Sequence, residues 1–153
     1  MGRARAGLYA LVRHGAADIV IANRTVSKAK KLARQFAAGR GPIRVADLDI
    51  LDNFDFLPSR QLVVNCTPLG VAGSEGAGQS PLPPGLIEPR TTVFDLVYNP
   101  VETPLTAAAK SRGAKAVSGL GMLVYQAAES FKLWTAKDAD TSVMFAAARA
   151  SLG

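Results

Sequence analysis

A group of polar and basic residues follows the first β-branched run of the sequence. The run 18–22 (DIVIA) leads into Asn23, Arg24 and Thr25, and Lys28 comes three residues later. A dinucleotide site for NAD places an acidic residue here, which accepts a hydrogen bond from the ribose 2′-hydroxyl. A site for NADP instead needs positive charge to bind the 2′-phosphate. The planar arginine fork can hold phosphate oxygens in a bidentate manner. Two interpretations stay open: Arg24 and Lys28 select NADP, or they are solvated cations at the start of a helix.

A turn sequence forms the second group. The apolar run 61–64 leads into Asn65, Cys66, Thr67, Pro68, Leu69 and Gly70. Proline and glycine force a turn and hold backbone groups open at a strand end, which would line a cofactor groove. Alternatively, Cys66 is a small buried apolar residue, the usual environment of a lone cysteine. No histidine or acid is placed to activate Cys66 as a nucleophile.

The third group lies in the second half of the chain. Tyr98 ends the run TTVFDLVY, where its hydroxyl would bind a polar ligand or would simply meet water while the ring packs. Gly119 and Gly121 permit close backbone approach at the start of a helix. Gln126 follows Met122 by four residues, so both side chains lie near one helix face. The amide of Gln126 suits a hydroxyl-rich substrate.

The elements that must position these groups alternate between helix and strand. Apolar residues at helical spacing predict helices from about residue 3 to Gly15, over 26–37, over 104–112, over 121–135 and from about residue 141 to the end. The predicted strands are 18–22, 43–47, 61–67, 91–98 and 115–119. The stretch 48–57 is either a short helix or irregular. Such alternation indicates an α/β fold with a mainly parallel sheet, in which ligands bind at the carboxyl ends of the strands.

Residue types at the helix ends set the predicted boundaries. Thr25 is a plausible N-cap of the second helix, and Thr103 before Pro104 is a cap followed by proline at the first helical position. Either Asp140 or Thr141 caps the last helix.

Composition narrows the class of protein. The 153 residues are 48% hydrophobic and 20% charged, which is typical of one soluble globular domain. No apolar run approaches the roughly 20 residues of a membrane span, no secretion signal is visible, and the single cysteine fits a reducing cytoplasm. The net charge of +6 comes from basic residues spread along the chain without aromatic interleaving, which does not favour nucleic acid. It indicates a solvated basic surface or a local patch for a phosphate-bearing small ligand.

Four strings together resemble the NADP-binding domain of the shikimate dehydrogenase family. They are ANRT with a basic residue three positions on, NCTPLG, FDLVYNPVETPL, and GAKAVSGLGMLVYQAAESFKLWT. They occur in the family's order and spacing and cover nearly the whole chain. The resemblance implies an activity, the reversible hydride transfer between NADPH and 3-dehydroshikimate that gives shikimate. Some relatives accept quinate or prefer NAD, and Arg24 argues for NADP.

The resemblance also implies roles for individual residues. The positions that match the family's cofactor contacts are Asn23, Arg24, Thr25, Lys28, Cys66, Thr67, Leu96, Gly119 and Met122. The positions that match its substrate contacts are Tyr98 and Gln126. No catalytic residue and no metal ligand is carried over, because the family's catalytic lysine and aspartate belong to a separate N-terminal substrate domain.

The sequence departs from the family at its start. The residues 2–7 (GRARAG) align with the end of the family's glycine-rich pyrophosphate loop, and only Gly2 matches a loop glycine. The strand before that loop and the substrate domain have no counterpart. We therefore expect a Rossmann-like, doubly wound, mainly parallel sheet that lacks its first strand, in a single incomplete NADP-binding domain over 1–153. We also expect weak NADP binding, no turnover by this chain alone, and self-association through exposed strand edges.

Three functional hypotheses remain open. The leading one is the cofactor domain of a shikimate dehydrogenase. The second is a quinate-using member of the same superfamily, and the third is a nucleotide-binding or interaction module without catalysis. A nucleic-acid partner, argued from charge alone, is less favoured than all three.

Overall fold

The computed structural model describes residues 2–37, 43–48 and 61–152. The chain divides into two compact units, which comprise residues 1–55 and 56–153. The first unit contains α1 (Gly2–Arg13), β1 (Val20–Asn23), α2 (Val26–Arg34) and β2 (Arg44–Asp47). The second contains β3 (Leu62–Asn65), β4 (Thr92–Asp95), α3 (Pro104–Ser111), β5 (Lys115–Val117), α4 (Leu120–Thr135) and α5 (Thr141–Leu152), with a short 3-10 helix at Pro84–Leu86.

The first unit is a small α/β layer. Leu8 of α1, Ile19 and Leu32 of α2 are its buried apolar core. Helix α1 ends before Gly15, whose φ of +79° lies in the left-handed region that glycine adopts without strain. Strands β1 and β2 are parallel, with Ile21 opposite Val45. The core therefore fixes β1, and with it the polar residues that follow this strand.

The second unit is built on a three-stranded parallel sheet in the order β3–β4–β5. Helix α3 packs on β4 and β5. Val93 at the centre of β4 and Leu105 of α3 are almost fully buried. In the β3–β4 ladder Asn65 stands opposite Asp95, so two polar side chains meet at the carboxyl ends of these strands.

The predicted α/β class with parallel strands is confirmed, and the structure refines its details. The helices and strands are mostly shorter than predicted: the second helix ends at Arg34 rather than at residue 37. The strands form two separate parallel sheets among the described residues, where one sheet was expected. In that part of the chain β1 pairs only with β2, and β3 pairs only with β4. The residues 49–57, for which helix and loop were both open, lie outside the described residues.

Two features are absent from residues 2–37, 43–48 and 61–152. No helix there is long and apolar enough to cross a membrane. No group of three or more histidine, cysteine, aspartate or glutamate side chains there could hold a metal ion.

Helix α5 begins at a capping aspartate. The Asp140 side chain accepts hydrogen bonds from the backbone amides of Ser142 (2.9 Å) and Val143 (3.3 Å), and from the Ser142 hydroxyl. Asp140 was one of the two predicted caps, so this alternative is confirmed. The Ser142 hydroxyl, followed by the Val143 and Ser142 amides, holds the pKa of Asp140 below its usual 3.8.

The cap makes the stability of α5 depend on pH. Because the folded pKa of Asp140 is depressed, its contribution is present above the unfolded pKa near 3.8 and is lost as the pH falls through the folded value. Asp140→Ala should therefore speed amide exchange in the first turn of α5 at neutral pH and have a shrinking effect below pH 3.8. Asp140→Ser, which keeps a capping oxygen that does not titrate, is the control. A difference between wild type and Asp140→Ala that stays constant down to the acid limit would contradict this assignment.

Candidate functional site

The carboxyl end of β1 is shaped by a local turn. The Asn23 side-chain oxygen accepts a hydrogen bond from the Thr25 amide at 3.0 Å. The Thr25 carbonyl then accepts from the amides of Lys28 (3.0 Å) and Ala29 (3.4 Å), which starts α2. Asn23 therefore fixes the backbone that carries Arg24 and Thr25.

Thr25 is the N-cap residue of α2, as predicted, but it lacks the side-chain hydrogen bond by which such residues usually cap a helix. The ψ of Thr25 is 87°. At Thr103, which does cap its helix, ψ is 163°. The backbone of Thr25 is thus turned away from the extended conformation that caps usually adopt. Its hydroxyl stays exposed and has no partner within the described part of the chain.

The two cations predicted at this place are both exposed. Within the residues that the structure describes, Arg24 and Lys28 make no ion pair, whereas Arg44 pairs with Asp18 at 2.7 Å. Arg24, Thr25 and Lys28, which carry a guanidinium, a hydroxyl and an ammonium, thus follow β1 directly and flank the N-terminus of the nine-residue helix α2. This is a donor set with the chemistry to hold a phosphate dianion. The residues present fit the 2′-phosphate of NADP.

In the second unit, Asn65 organises the turn that follows β3. Asn65 is buried, and its side-chain oxygen accepts from both the amide (2.9 Å) and the hydroxyl (2.7 Å) of Thr67. The Thr67 hydroxyl in turn accepts from the Leu69 amide at 3.2 Å. The predicted cofactor residue Thr67 is thus held at both its backbone and its side chain.

Asp95, at the end of β4, is fully buried and binds three donors. Its Oδ1 accepts from Asn65 Nδ2 (2.9 Å) and from the Val97 amide (3.0 Å), and its Oδ2 accepts from the Thr103 hydroxyl (2.7 Å). Thr103 also forms a reciprocal capping box with Thr106 at the start of α3, as the cap prediction required. All buried side-chain polar atoms of the described residues have partners.

Gly119 lies directly against the backbone that follows β4. A Cβ atom at Gly119 would stand 2.5 Å from the Leu96 carbonyl oxygen and 2.9 Å from that of Val97. The Gly119 amide donates to the Val97 carbonyl at 3.1 Å. The close approach predicted for this glycine is therefore to the chain's own backbone at Leu96 and Val97, and it brings two of the predicted cofactor residues together.

The remaining predicted residues of this unit differ in exposure. Cys66, Tyr98 and Met122 are half-buried, and Gln126 is exposed. The alternative that Cys66 is a small buried residue is therefore not met in full, because its side chain is partly accessible. Tyr98 is one residue after Val97, whose amide Asp95 holds, so its backbone position is set by the same buried contacts.

Three structural residues of this region were not singled out from the sequence. They are Asn65 and Asp95, which join the ends of β3 and β4 to each other and to Thr103 at the start of α3, and Thr106, which completes the cap with Thr103. The available signal was a polar residue ending each of two apolar runs, LVVN and TVFD. A buried polar group must find partners, so two such positions on neighbouring strands predict a shared network.

The comparisons with known proteins converge on one family. The family model of the shikimate 5′-dehydrogenase C-terminal domain matches residues 119–149. The shikimate dehydrogenase (NADP(+)) of Moorella thermoacetica is 38% identical over 99% of this chain and 51% of its own length. That of Mesorhizobium japonicum is 43% identical over 87% of this chain and 45% of its own length. The chain spans about half the length of the curated relatives that it matches.

Solved structures agree with these relatives. A shikimate dehydrogenase in complex with NADP+ superposes with a TM-score of 0.80 at 33% identity, over 89% of this chain and 47% of that protein. The quinate dehydrogenase of Corynebacterium glutamicum in complex with NAD superposes with a TM-score of 0.83 at 31% identity, over 97% of this chain and 51% of that protein. The Thermus thermophilus shikimate 5-dehydrogenase in complex with NADP(H) and shikimate superposes with a TM-score of 0.73 at 34% identity, over 92% of this chain and 48% of that protein.

The resemblance inferred from the four strings is confirmed, since curated relatives and solved structures match the chain over most of its length. By sequence and by fold, this chain is similar over most of its length to shikimate dehydrogenases, of which it matches about half.

Proposed function

We propose that this chain binds NADP and serves as the cofactor-binding half of a shikimate dehydrogenase. The observation that carries the proposal is the exposed donor set of Arg24, Thr25 and Lys28 after β1, in a chain whose relatives are named as NADP(+) enzymes. In this proposal the guanidinium of Arg24 grips the 2′-phosphate, Thr25 donates its hydroxyl, and Lys28 adds charge. Asn23 keeps the turn in place through its hydrogen bond to the Thr25 amide.

The second unit contributes the nicotinamide end. Thr67 and Leu96 stand at the ends of β3 and β4, and Gly119 brings the start of α4 against Leu96. Cys66 and Met122, both half-buried, complete the proposed lining. NADPH, when bound, supplies the hydride; the role of these residues is to orient the ring.

The substrate contacts of this unit are Tyr98 and Gln126. Tyr98 is half-buried, three residues after the end of β4, and Gln126 is exposed on the second turn of α4. Their hydroxyl and amide groups suit the hydroxyls of shikimate and 3-dehydroshikimate. The proposed whole reaction is the reversible reduction of 3-dehydroshikimate to shikimate.

We further propose that this chain has no turnover by itself. The chain spans about half of its relatives, and the resemblance assigns the catalytic lysine and aspartate to a separate substrate domain. At the strand ends of the second unit, the described acidic side chain is Asp95, which is fully buried and already accepts three hydrogen bonds. Pairing of further chains along β1 and β3, and a cytoplasmic location, likewise stay predictions.

A quinate-using dehydrogenase is the second candidate. The observation in its favour is the TM-score of 0.83 to the NAD complex of a quinate dehydrogenase. The basic residues after β1 argue against NAD as the cofactor here, because a 2′-hydroxyl needs an acceptor and not a cation. A nucleotide-binding module without catalysis is the third candidate.

Calorimetry and an activity assay on the full chain test the proposal. We expect NADP to bind more tightly than NAD, and we expect no oxidation of NADPH in the presence of 3-dehydroshikimate or 3-dehydroquinate. Equal affinity for NADP and NAD would contradict the role of Arg24 and Lys28. Steady turnover with either substrate would contradict the inactivity and would identify the substrate.

A further inference from the structure

We propose that Asp95 is a positioning residue, which holds Thr67, Leu96 and Tyr98 in the single arrangement that receives the nicotinamide and the substrate. This inference rests on the proposed function for the identity of the ligands. Its structural basis is the set of hydrogen bonds on the Asp95 carboxyl group, which join three separate segments of the second unit.

The three donors to Asp95 come from different places in the chain. Asn65 Nδ2 belongs to the end of β3, the Val97 amide to the segment after β4, and the Thr103 hydroxyl to the cap of α3. Asp95 is fully buried, so water does not compete for these donors. Removing the carboxyl group leaves the Val97 amide without an acceptor, which is the costly case for buried polar groups. It leaves Asn65 Nδ2 only its 3.5 Å contact with the Leu69 carbonyl and the Thr103 hydroxyl only its 3.3 Å contact with the Thr106 hydroxyl.

The contact with Asn65 extends to the proposed cofactor residue Thr67. Because Asn65 Nδ2 donates to Asp95, the Asn65 side-chain oxygen must point the other way, toward the amide and the hydroxyl of Thr67. A flipped amide would place that oxygen against the carboxyl group of Asp95. Asp95 therefore selects the orientation of Asn65 that holds Thr67.

The contact with Val97 fixes the segment that carries Leu96 and Tyr98. The Val97 amide lies in the peptide that joins Leu96 to Val97, and Tyr98 follows directly. The carbonyl oxygen of the same peptide, that of Leu96, is the atom that a Cβ at Gly119 would meet first, at 2.5 Å. A shift of this segment would change the distance of the α4 N-terminus from it and the direction of Tyr98.

Hydrogen exchange measured residue by residue tests the positioning directly, without any ligand. In Asp95→Ala, we expect the amides of Thr67 and Val97 to exchange at least about tenfold faster. The Val97 amide loses its acceptor, and the acceptor of the Thr67 amide, Asn65, is no longer held in its orientation. The Leu123 amide, which donates to Gly119 within α4, should keep its rate. Faster exchange of all three amides would indicate general unfolding and would overturn the inference, as would unchanged rates at Thr67 and Val97.

Two further variants make the test specific. Asp95→Asn keeps one oxygen for Asn65 and Val97, and its amide can donate to the Thr103 hydroxyl, which is able to accept. It should restore most of the protection at Thr67 and Val97. Glu102→Ala is the matched control, because Glu102 is an exposed acid that pairs with Lys110 close to the same cap. It should leave both amides unchanged.

Ligand binding separates this inference from the proposed function. The probes are NADPH and 2′,5′-ADP, which lacks the nicotinamide. Asp95→Ala should weaken NADPH by about tenfold while 2′,5′-ADP stays within about twofold of wild type. Equal losses for the two ligands would overturn the inference. A wild-type chain that binds neither ligand would contradict the proposed function, and the exchange rates at Thr67 and Val97 would then decide the positioning role alone.

Discussion

Gly119→Ala is expected to destabilise the second unit by about 1–3 kcal/mol, and toward the upper end of that range. The added Cβ would stand 2.5 Å from the Leu96 carbonyl oxygen and 2.6 Å from its carbon. These are backbone atoms, and Asp95 holds the neighbouring Val97 amide at 3.0 Å, so the contact has little room to relax. The φ of Gly119 is −69°, which alanine adopts freely, so steric overlap is the sole cause of the loss.

Gly121→Ala is the matched control for this prediction. Gly121 lies inside α4, two residues further on, and a Cβ there would meet nothing within 4 Å. Alanine should therefore stabilise the helix by about 0.5–1 kcal/mol. Urea unfolding followed by circular dichroism, with hydrogen exchange to assign the change to residues 56–153, measures both variants. Similar urea concentrations at the unfolding midpoint for the two variants would contradict the close packing of Gly119.

Arg24→Ala is expected to weaken NADP binding by roughly tenfold to a hundredfold, because charge-assisted hydrogen bonds contribute about 1.5–3 kcal/mol. NAD binding should change by less than about twofold, since NAD has no 2′-phosphate for the guanidinium to bind. Arg24 is exposed and makes no ion pair within the described residues, so the fold should not change. Calorimetry with NADP and with NAD, on the wild type and on Arg24→Ala, gives the change in affinity for each cofactor.

Lys30→Ala controls for the loss of one positive charge. Lys30 lies on the same helix α2 and is exposed, but it is not among the residues that follow β1. Its removal should lower the affinity for NADP by no more than about twofold at moderate salt, where distant surface charges are screened. If Arg24→Ala and Lys30→Ala weaken NADP and NAD to the same extent, the 2′-phosphate assignment is wrong and the effect is general electrostatics.

Helix ends were predictable where the signal is confined to a few neighbouring residues. Thr103 caps α3 and Asp140 caps α5 as expected. Such a cap needs only a side-chain oxygen and the backbone amides two or three residues later, from which it accepts hydrogen bonds. At Thr25 the same rule gave the N-cap position but not the hydrogen bond. There Asn23 takes the Thr25 amide and the backbone turns out of the capping conformation, which residue type alone does not reveal.

The candidate site was predictable in its residue types and only partly in its geometry. The basic residues after β1 follow from the sequence, because strand ends carry ligand contacts in α/β folds. The buried support of the second group does not. Asn65 and Asp95 are 30 residues apart, and nothing local links them.

The sequence by itself determined the α/β class, the helix signals, the basic group at Arg24 and Lys28, and the resemblance to shikimate dehydrogenases. These depend on periodicity, on residue type and on the order of short strings, all of which are properties of neighbouring residues. Only the tertiary structure decided that Asn65 and Asp95 share a hydrogen bond and that Gly119 touches Leu96. The physical reason is strand register: Asn65 stands opposite Asp95 in the β3–β4 ladder, and a slip of one residue would turn either side chain to the other face of the sheet.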